Sequence, residues 1–383
     1  MSLKILVVTP DFPYPANHGG RVDYYNRIRC FHEYGYEVDL ISTVKEEISE
    51  EHVDHMRRYV KSITLVKRDI SLRSLFSKLP LQMKSRDALR KINLSTKQFD
   101  VLWLESEYVL PIVNHPDIRF NKSFLRIHNL ESKYFVSLAT SSIPHPSSLF
   151  YFLEAVKFRR FDNRFPVSID KRLFISSSEM KAAAGMDNKF YLPPVYPDFN
   201  IQSHLQKREG KRVLFVGSLF MPNNRKSIDF YIQQVHPLLL TQPDYEFVVI
   251  GSTRMDTTLQ QKLLATYAGA ANVRFLFDAS EETILKYYSS SRVFVNPVFE
   301  TAGIKMKVLD AIRHGIPVVS TKAGIEGTGL DAGQDVLVAD SAKEMANQLK
   351  AIFSGTLDDF SLVRNAQLKL QSNQTKLKQV FYE

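Results

Sequence analysis

A strand–helix–strand pattern fills the first forty residues and occurs again in the second half of the chain. Lys4 to Thr9 is an apolar run that predicts a buried strand, and a loop rich in proline and glycine separates it from a helical pattern. Glu37 to Ser42 predicts the next strand. Val213 to Ser218 starts the second pattern and again reaches a glycine. Because strands joined through a helix pair in parallel, the chain is expected to be an α/β protein with two parallel sheets.

Chain length and one proline-rich segment indicate two domains. The 383 residues exceed the usual size of one domain. Tyr191 to Pro197 contains three prolines and predicts a stiff connector, which the polar segment Asn200 to Lys211 continues. We expect a Rossmann-like domain at residues 1–195 and a second one at residues 196–361. Ligands of such a pair are expected at the carboxyl ends of the parallel strands, in a cleft.

Composition narrows the possible partners. The net charge of +9 suits nucleic acid, an anionic membrane or a phosphorylated small molecule, but also a solvated basic surface. No nucleic-acid-binding motif is present, so we expect no nucleic acid partner. With Cys30 as the single cysteine no internal disulfide can form, and no apolar run reaches the ~18 residues of a membrane span. We expect a cytoplasmic protein, peripheral at most to the inner face of the membrane.

One basic segment could provide such a membrane contact. Residues Lys67 to Lys97 interleave arginines and lysines with leucines, phenylalanine and methionine. A basic amphipathic segment can dock on anionic lipid. The same pattern equally fits a solvated helix that covers the core.

The stretch from Asn296 to Val319 predicts a strand, a glycine loop, a helix and another strand. The loop containing Gly303 would present free backbone N–H groups and the positive end of the helix dipole, which suits a diphosphate. Lys305 and Lys307 add positive charge there, and Asp310 follows about one turn later, within reach of ribose hydroxyls. An ordinary loop and helix with exposed lysines would show the same pattern.

This stretch resembles the donor-site signature of the retaining glycosyltransferases of family 4, the group 1 transferases with the GT-B fold. The resemblance lies in Leu309 to Val319, which is similar to the family's Leu-Glu-Ala-Met-Ala-x-Gly-x-Pro-Val-Val pattern. It implies two Rossmann-like domains facing a central cleft. It also implies that the last helix, about residues 362–383, packs back on the first domain.

Two positions depart from the family pattern. Asp310 stands where the family has the glutamate that grips the ribose, and Ala302 stands where the first glutamate is expected. The donor-sugar contact therefore passes, by resemblance, to Glu300 and to the backbone of Thr301, Ala302, Gly303 and Ile304.

Three further segments resemble the family. Gly19-Gly20 follows the first strand, where a bare backbone approaches the donor phosphate, and neighbouring His18 and Arg21 are candidates for acceptor binding. His128 stands where the family has a strand-end histidine at the donor sugar. The remaining donor candidates follow the first strand of the second domain: Gly217, Asn223, Arg225 and Lys226.

Strand ends supply one more candidate. Glu105 follows an apolar run, and we expect it to meet the acceptor.

For the donor phosphate two options stay open. Either Arg225 and Lys226 neutralise it, or Asn223 acts with the Lys305 and Lys307 pair.

The resemblance implies transfer of a sugar from a nucleoside-diphosphate-sugar to a glycan or lipid-linked acceptor, with retention of anomeric configuration. Bacterial surface polysaccharide synthesis is the expected setting. His128, Lys305 and Glu300 are the catalytic candidates. No Asp-x-Asp arrangement suits a metal, so neither metal nor cofactor is expected. Two alternatives remain: a non-catalytic sugar-nucleotide or glycan-binding protein of the same fold, and a GT-B-type sugar-nucleotide epimerase.

Overall fold

The computed structural model describes residues 2–16, 19–71, 74, 77–141, 144–162, 169–183, 185–197, 201, 208, 210–299 and 303–382. The chain divides into two compact units. The first comprises Met1–Pro197 and Gln374–Glu383, and the second comprises Asp198–Asn373. The first unit thus includes the end of the chain, from Gln374 onward, whereas the sequence suggested a returning helix from about residue 362.

The first unit is built on a seven-stranded sheet with the strand order β3-β2-β1-β4-β5-β6-β7. All neighbouring strands of this sheet are parallel. The order reverses between β1 and β4, because β2 and β3 lie on one side of β1 and the later strands lie on the other. The strands are β1 (Lys4–Thr9), β2 (Glu37–Val44), β3 (Ser62–Lys67), β4 (Gln98–Leu104), β5 (Arg119–Ile127), β6 (Lys171–Phe174) and β7 (Lys189–Tyr191).

Alternate residues of β1 enter two different cores, one on each face of the sheet. Ile5 and Val7 belong to one buried cluster, and Leu6 and Val8 belong to the other. This alternation follows from the pleat of a strand, which directs successive side chains to opposite faces. A strand that is apolar at every position is therefore buried on both sides. The helices of this unit are α1 (Gly19–Glu33), α2 (Glu50–Arg57), α3 (Leu81–Lys84), α4 (Glu131–Ser141), α5 (Ser147–Asp162) and α6 (Ser177–Ala182).

The end of the chain completes one of these cores. Leu377, Val380 and Phe381 are buried in the same cluster as Ile5 and Val7. The ring of Phe381 lies 5.8 Å from that of Trp103. The last residues are therefore an integral part of the first unit.

The second unit contains a six-stranded sheet with the order β10-β9-β8-β11-β12-β13, again parallel throughout. Here the order reverses between β8 and β11. The strands are β8 (Lys211–Val216), β9 (Tyr245–Gly251), β10 (Val273–Phe277), β11 (Val293–Asn296), β12 (Val318–Ser320) and β13 (Leu337–Val338). Its described α-helices are α7 (Pro222–Phe230), α8 (Thr257–Thr266), α9 (Glu281–Ser290), α10 (Met306–Arg313), α11 (Lys322–Ile325) and α12 (Ala342–Ser354). The last helix, α13 (Asp359–Tyr382), begins in this unit and ends in the first, which includes it from Gln374 onward.

The first helix after β8 begins at Pro222, since proline is favoured in the first turn of a helix, and it continues as a π turn and a 3₁₀ turn to Leu239. The segment expected to be a stiff connector is packed: Leu192, Val195 and Tyr196 are buried in the first unit. Apolar side chains between the prolines anchor that segment to the sheet.

The helices that the structure describes include none that is long and apolar enough to cross a membrane.

Candidate active site

Two glycine loops of the second unit lie where its strand order reverses. The loop after β8 begins at Gly217, and the loop after β11 leads to Gly303 and into α10. In doubly wound α/β domains ligands bind at the carboxyl ends of the strands beside such a reversal. Both predicted donor-binding loops therefore lie at the position where this architecture binds ligands.

Lys307 connects these two loops. It lies in the first turn of α10, and its Nζ donates a hydrogen bond of 2.8 Å to Oδ1 of Asn224 in the first turn of α7. The ammonium also lies 4.3 Å from the centre of the Phe215 ring, on β8. The contacts of Lys307 therefore hold a positive charge at the end of β8 and at the amino end of two helices.

Burial, reinforced by the charge of Lys305, lowers the pKa of Lys307 to about 7. A lysine in the first turn of a helix is also opposed by the positive end of the helix dipole. Both effects disfavour the charged form unless an anion is present. The site is therefore electrostatically prepared for a phosphate group.

Lys305 folds back on its own loop. Its side chain is largely buried, and Nζ donates a hydrogen bond of 2.9 Å to the carbonyl oxygen of Gly303. Gly303 has φ of 68°, a left-handed conformation that glycine adopts without strain. Ile304 lies between them and is partly buried. Lys305 thus stabilises the turn that leads into α10.

Asp310 lies one turn further along α10 and is partly exposed. Burial, with a contribution from the charge of Asp310, raises the pKa of Tyr288 well above its usual range. The carboxylate is therefore on the same helix as Lys307, and its contact with a ribose stays a prediction.

The other polar residues after β8 have different surroundings. Oδ1 of Asn223 accepts a hydrogen bond of 2.9 Å from the backbone N–H of Asn224. Nη1 of Arg225 donates one of 2.8 Å to the carbonyl oxygen of Leu219, whereas Lys226 is exposed. Arg225, like Lys305 and Lys307, is therefore partly engaged in holding its own loop, and both options for the phosphate stay predictions.

A neighbouring turn, which the sequence did not single out, supports the Gly217 loop. The backbone N–H of Leu219 donates a hydrogen bond of 2.7 Å to the carbonyl oxygen of Ser252. Asp278, after β10, accepts hydrogen bonds from the backbone N–H groups of Thr253, Arg254 and Met255, at 2.9, 3.1 and 3.2 Å. Desolvation raises the pKa of the Asp278 carboxyl, but hydrogen bonds from the hydroxyl groups of Thr253 and Ser252, together with those from the backbone, lower it overall. A single carboxylate therefore organises the turn beside the Gly217 loop.

The glycine pair of the first unit opens α1 rather than lying in a free loop. Gly19 and Gly20 are the first two residues of that helix. Arg21 is bound by Asp11, which receives a hydrogen bond of 2.9 Å from Nε and a second contact of 2.6 Å from Nη2. Arg21 is thus fixed in a partly exposed ion pair. Any acceptor contact would compete with Asp11.

Two residues of α1 belong to a network of charged side chains that is completely buried. Asp23 and Arg27 of α1 pair at 2.6 Å, and Arg27 also binds Glu105 in a bidentate pair at 2.8 and 2.6 Å. Arg126 of β5 binds the other side of Asp23 at 2.9 and 3.1 Å and donates a further hydrogen bond to the carbonyl oxygen of Leu192. Their side chains have no exposed surface. Two carboxylates and two guanidinium groups thus compensate one another inside the protein.

His128 lies at the edge of this network, where part of its side chain reaches solvent. Its Nδ1 is 3.8 Å from Oδ2 of Asp23 and its Nε2 is 3.9 Å from Oε2 of Glu105, and 19% of its side chain is exposed. Burial, with the charges of Arg126 and Arg27, lowers its pKa to about 4 although Asp23 opposes the shift. Both ring nitrogens are therefore turned toward buried carboxylates, and the imidazole is neutral at the edge of the network.

The structure corrects the expectation for Glu105. This residue was predicted to meet the acceptor, but its side chain is fully buried and both oxygens are bound by Arg27. Glu105 can therefore act on a ligand only through its neighbours. Asp23, Glu105 and His128 are close enough to hold a metal ion, with their ligand atoms within 4.8 Å of one another. The guanidinium groups of Arg27 and Arg126 already occupy those carboxylates, which disfavours a cation there.

Four predicted site residues lie outside the described residues: His18, Glu300, Thr301 and Ala302.

Comparison with known proteins identifies the family. Residues 210–354 match the family Glycosyl transferases group 1, a range that contains both glycine loops of the second unit. Over 360 residues the chain is 36% identical to an uncharacterized 44.6 kDa protein in the cps region of Klebsiella pneumoniae, covering 91% of this chain and 92% of that protein. The chain belongs to the group 1 glycosyltransferases.

One further relative and one solved structure are similar to this chain. This group 1 glycosyltransferase is 26% identical over 183 residues to the lipopolysaccharide core biosynthesis mannosyltransferase LpsB of Rhizobium meliloti, covering 44% of this chain and 48% of that protein. Its fold is similar to that of HepE from Anabaena, solved in complex with UDP and glucose. The TM-score is 0.65, the identity is 13% and the coverage of each chain is 99%. The GT-B fold predicted from the sequence is confirmed.

Proposed function

We propose that this protein transfers a sugar from a nucleoside-diphosphate-sugar to a glycan or lipid-linked acceptor hydroxyl, with retention of anomeric configuration. The arrangement of Lys307 carries the proposal. Its ammonium is held at the amino ends of α7 and α10 by Asn224, and its depressed pKa is relieved when a diphosphate binds. Stabilising the departing diphosphate is the main electrostatic task in such a transfer.

With Lys307 as the phosphate contact, the other parts of the donor are assigned to neighbouring residues. The diphosphate lies against Lys307 and the backbone from Gly303 to Lys305. Asp310 accepts hydrogen bonds from the ribose hydroxyls. We further propose that His128 contacts the transferred sugar, because its neutral ring is partly exposed directly after β5.

Bacterial surface polysaccharide synthesis is the proposed setting. The relative in the cps region and the lipopolysaccharide mannosyltransferase support it. An anionic membrane is accordingly a proposed partner, since the acceptor is proposed to be carried on lipid. Transfer is proposed to need no metal, because the chain offers two lysines and helix-end N–H groups to the diphosphate.

A panel of UDP-, GDP-, ADP- and TDP-sugars tests the proposed chemistry. Slow hydrolysis of one donor without acceptor, unchanged by EDTA, is the expected result, measured as released nucleoside diphosphate. Retention is checked by NMR of the first sugar product. Formation of an epimer instead would identify an epimerase, and saturable binding without turnover would identify a non-catalytic binding protein. Either outcome would overturn the proposed transfer.

Binding of the nucleoside diphosphate should weaken as the pH rises. In the free protein Lys307 titrates near pH 7, and a bound phosphate raises that pKa because it favours the charged form. The complex therefore takes up a proton on binding near neutral pH, and affinity is lost progressively above pH 7. Calorimetric titrations in buffers of different ionisation enthalpy measure this uptake. Affinity that stays constant from pH 6 to about pH 9 would exclude Lys307 from the phosphate contact.

A further inference from the structure

The helices α4 and α5 form a hairpin that is apolar on two opposite faces. On the inner side the Phe135 and Phe158 rings stack at 5.2 Å, and Phe158 contacts the Tyr108 ring at 6.0 Å. Ala155 and Phe161 are buried in the same core. This inner face accounts for the packing of the hairpin on the sheet.

The outer face carries large apolar side chains that the core does not use. Leu149, Phe152 and Leu153 of α5 are 66%, 55% and 51% exposed, and Val136 of α4 is 45% exposed. Leu149 and Phe152 line an apolar cavity of about 450 Å³ at the tip of the hairpin. A helix with apolar residues on both faces has more nonpolar surface than one protein core can cover. A contiguous exposed apolar surface of this kind marks an interaction site.

The charges of the hairpin are sorted by sign. Glu131 and Glu154 are buried: Glu131 accepts a hydrogen bond of 2.5 Å from Tyr108, and Glu154 accepts one of 2.7 Å from the backbone N–H of Leu81. The exposed charged side chains that the structure describes in the hairpin are Lys133, Arg159 and Arg160. Among the side chains that the structure describes, the outer face of the hairpin therefore combines apolar groups with positive charge.

We propose that the outer face of the Glu131–Asp162 hairpin docks on an anionic lipid bilayer, with Leu149, Phe152 and Leu153 entering the interface. Basic residues beside an apolar face are attracted to anionic lipid, and the apolar side chains add the hydrophobic contribution. This inference rests on the membrane partner in the proposed function, and it locates that contact.

The basic segment Lys67 to Lys97 is a weaker site for the same contact. Its Met83 and Leu89 are buried in the core of the first unit. Arg86 is buried and donates hydrogen bonds to Thr43 and to the carbonyl oxygen of Pro10. Within its described residues Met83, Leu89 and Arg86 are therefore turned into the core, whereas Ile70 is 65% exposed.

Vesicle co-sedimentation of the whole protein tests the proposal. Wild type should bind vesicles of phosphatidylcholine mixed with phosphatidylglycerol, and it should bind phosphatidylcholine alone much more weakly. The variant L149S/F152S/L153S and the variant R159Q/R160Q should each lower the partition coefficient onto anionic vesicles by about tenfold or more. The matched control L264S/L285S removes exposed leucines of the second unit and should bind as wild type.

Donor hydrolysis in solution, measured without vesicles, separates this proposal from the proposed transfer. The hairpin variants should hydrolyse donor as wild type does, which also shows that they are folded. Equal partition of wild type and both hairpin variants would overturn the docking surface, and so would absence of wild-type binding. If light scattering instead shows a wild-type dimer that L149S/F152S/L153S dissociates, the face is a contact between copies and not a membrane surface.

Discussion

Replacing Lys307 by methionine should abolish donor turnover while leaving the protein at least as stable as wild type. Methionine keeps the length and the apolar stem of lysine but removes the ammonium. We expect kcat/KM for donor hydrolysis to fall by at least about 100-fold, or about 2.7 kcal/mol, as is found when a group that stabilises transition-state charge is removed. Binding of the nucleoside diphosphate should weaken with it.

The stability of Lys307→Met follows from the same electrostatics. Burial and the charge of Lys305 disfavour the ammonium in the free protein, so its removal relieves an unfavourable interaction. The lost hydrogen bond to Asn224 and the lost contact with the Phe215 ring offset part of this gain. An unchanged or raised melting temperature is therefore expected, as for residues kept for activity at the expense of stability.

The control for this variant is Lys262→Met, which removes an exposed lysine from α8 of the same unit. It should change neither kcat/KM nor melting temperature. If Lys307→Met bound nucleoside diphosphate as tightly as wild type, the phosphate would have to be held elsewhere, and the Arg225 and Lys226 option would be favoured.

Strands that are buried on both faces were the most predictable part of the fold. Lys4–Thr9 has the bounds that the sequence indicated, and the strand predicted from Glu37 begins at that residue. Each is a short run that is mainly apolar and bounded by polar or turn-forming residues, and only a strand of a covered sheet suits such a run. The three-residue strand Lys189–Tyr191 was missed, because three residues are too few to show a period.

The contacts of polar residues at the strand ends were much less predictable. The position of Glu105 after a strand was correct, but its environment was not, since periodicity does not tell which charges meet inside the protein. Two signals could have pointed to the network. Asp23 and Arg27 are four residues apart among the apolar residues of α1, and Arg126 interrupts the apolar run of β5. Buried charges at such positions require partners.

Removing one member of this network should cost more stability than any surface change. Arg27→Met leaves the carboxylates of Asp23 and Glu105 buried with one of their partners lost. Breaking a buried ion pair in this way costs about 3–5 kcal/mol. The double variant Arg27→Met/Glu105→Gln should lose less than the sum of its single changes, by about 1–3 kcal/mol, because it removes a positive and a negative charge together.

The fluorescence of the single tryptophan can measure this loss of stability in the first unit, which contains the charge network. Trp103 lies in β4 of the first unit, so urea unfolding followed by its fluorescence reports that unit even if the second unfolds separately. Arg57→Met is the matched control, because Arg57 also binds two carboxylates, Glu50 and Asp54, but at the surface. Such exposed pairs contribute little to stability. Equal losses for Arg27→Met and Arg57→Met would contradict the compensation of buried charge, and additive losses in the double variant would show that Arg27 and Glu105 do not act as a pair.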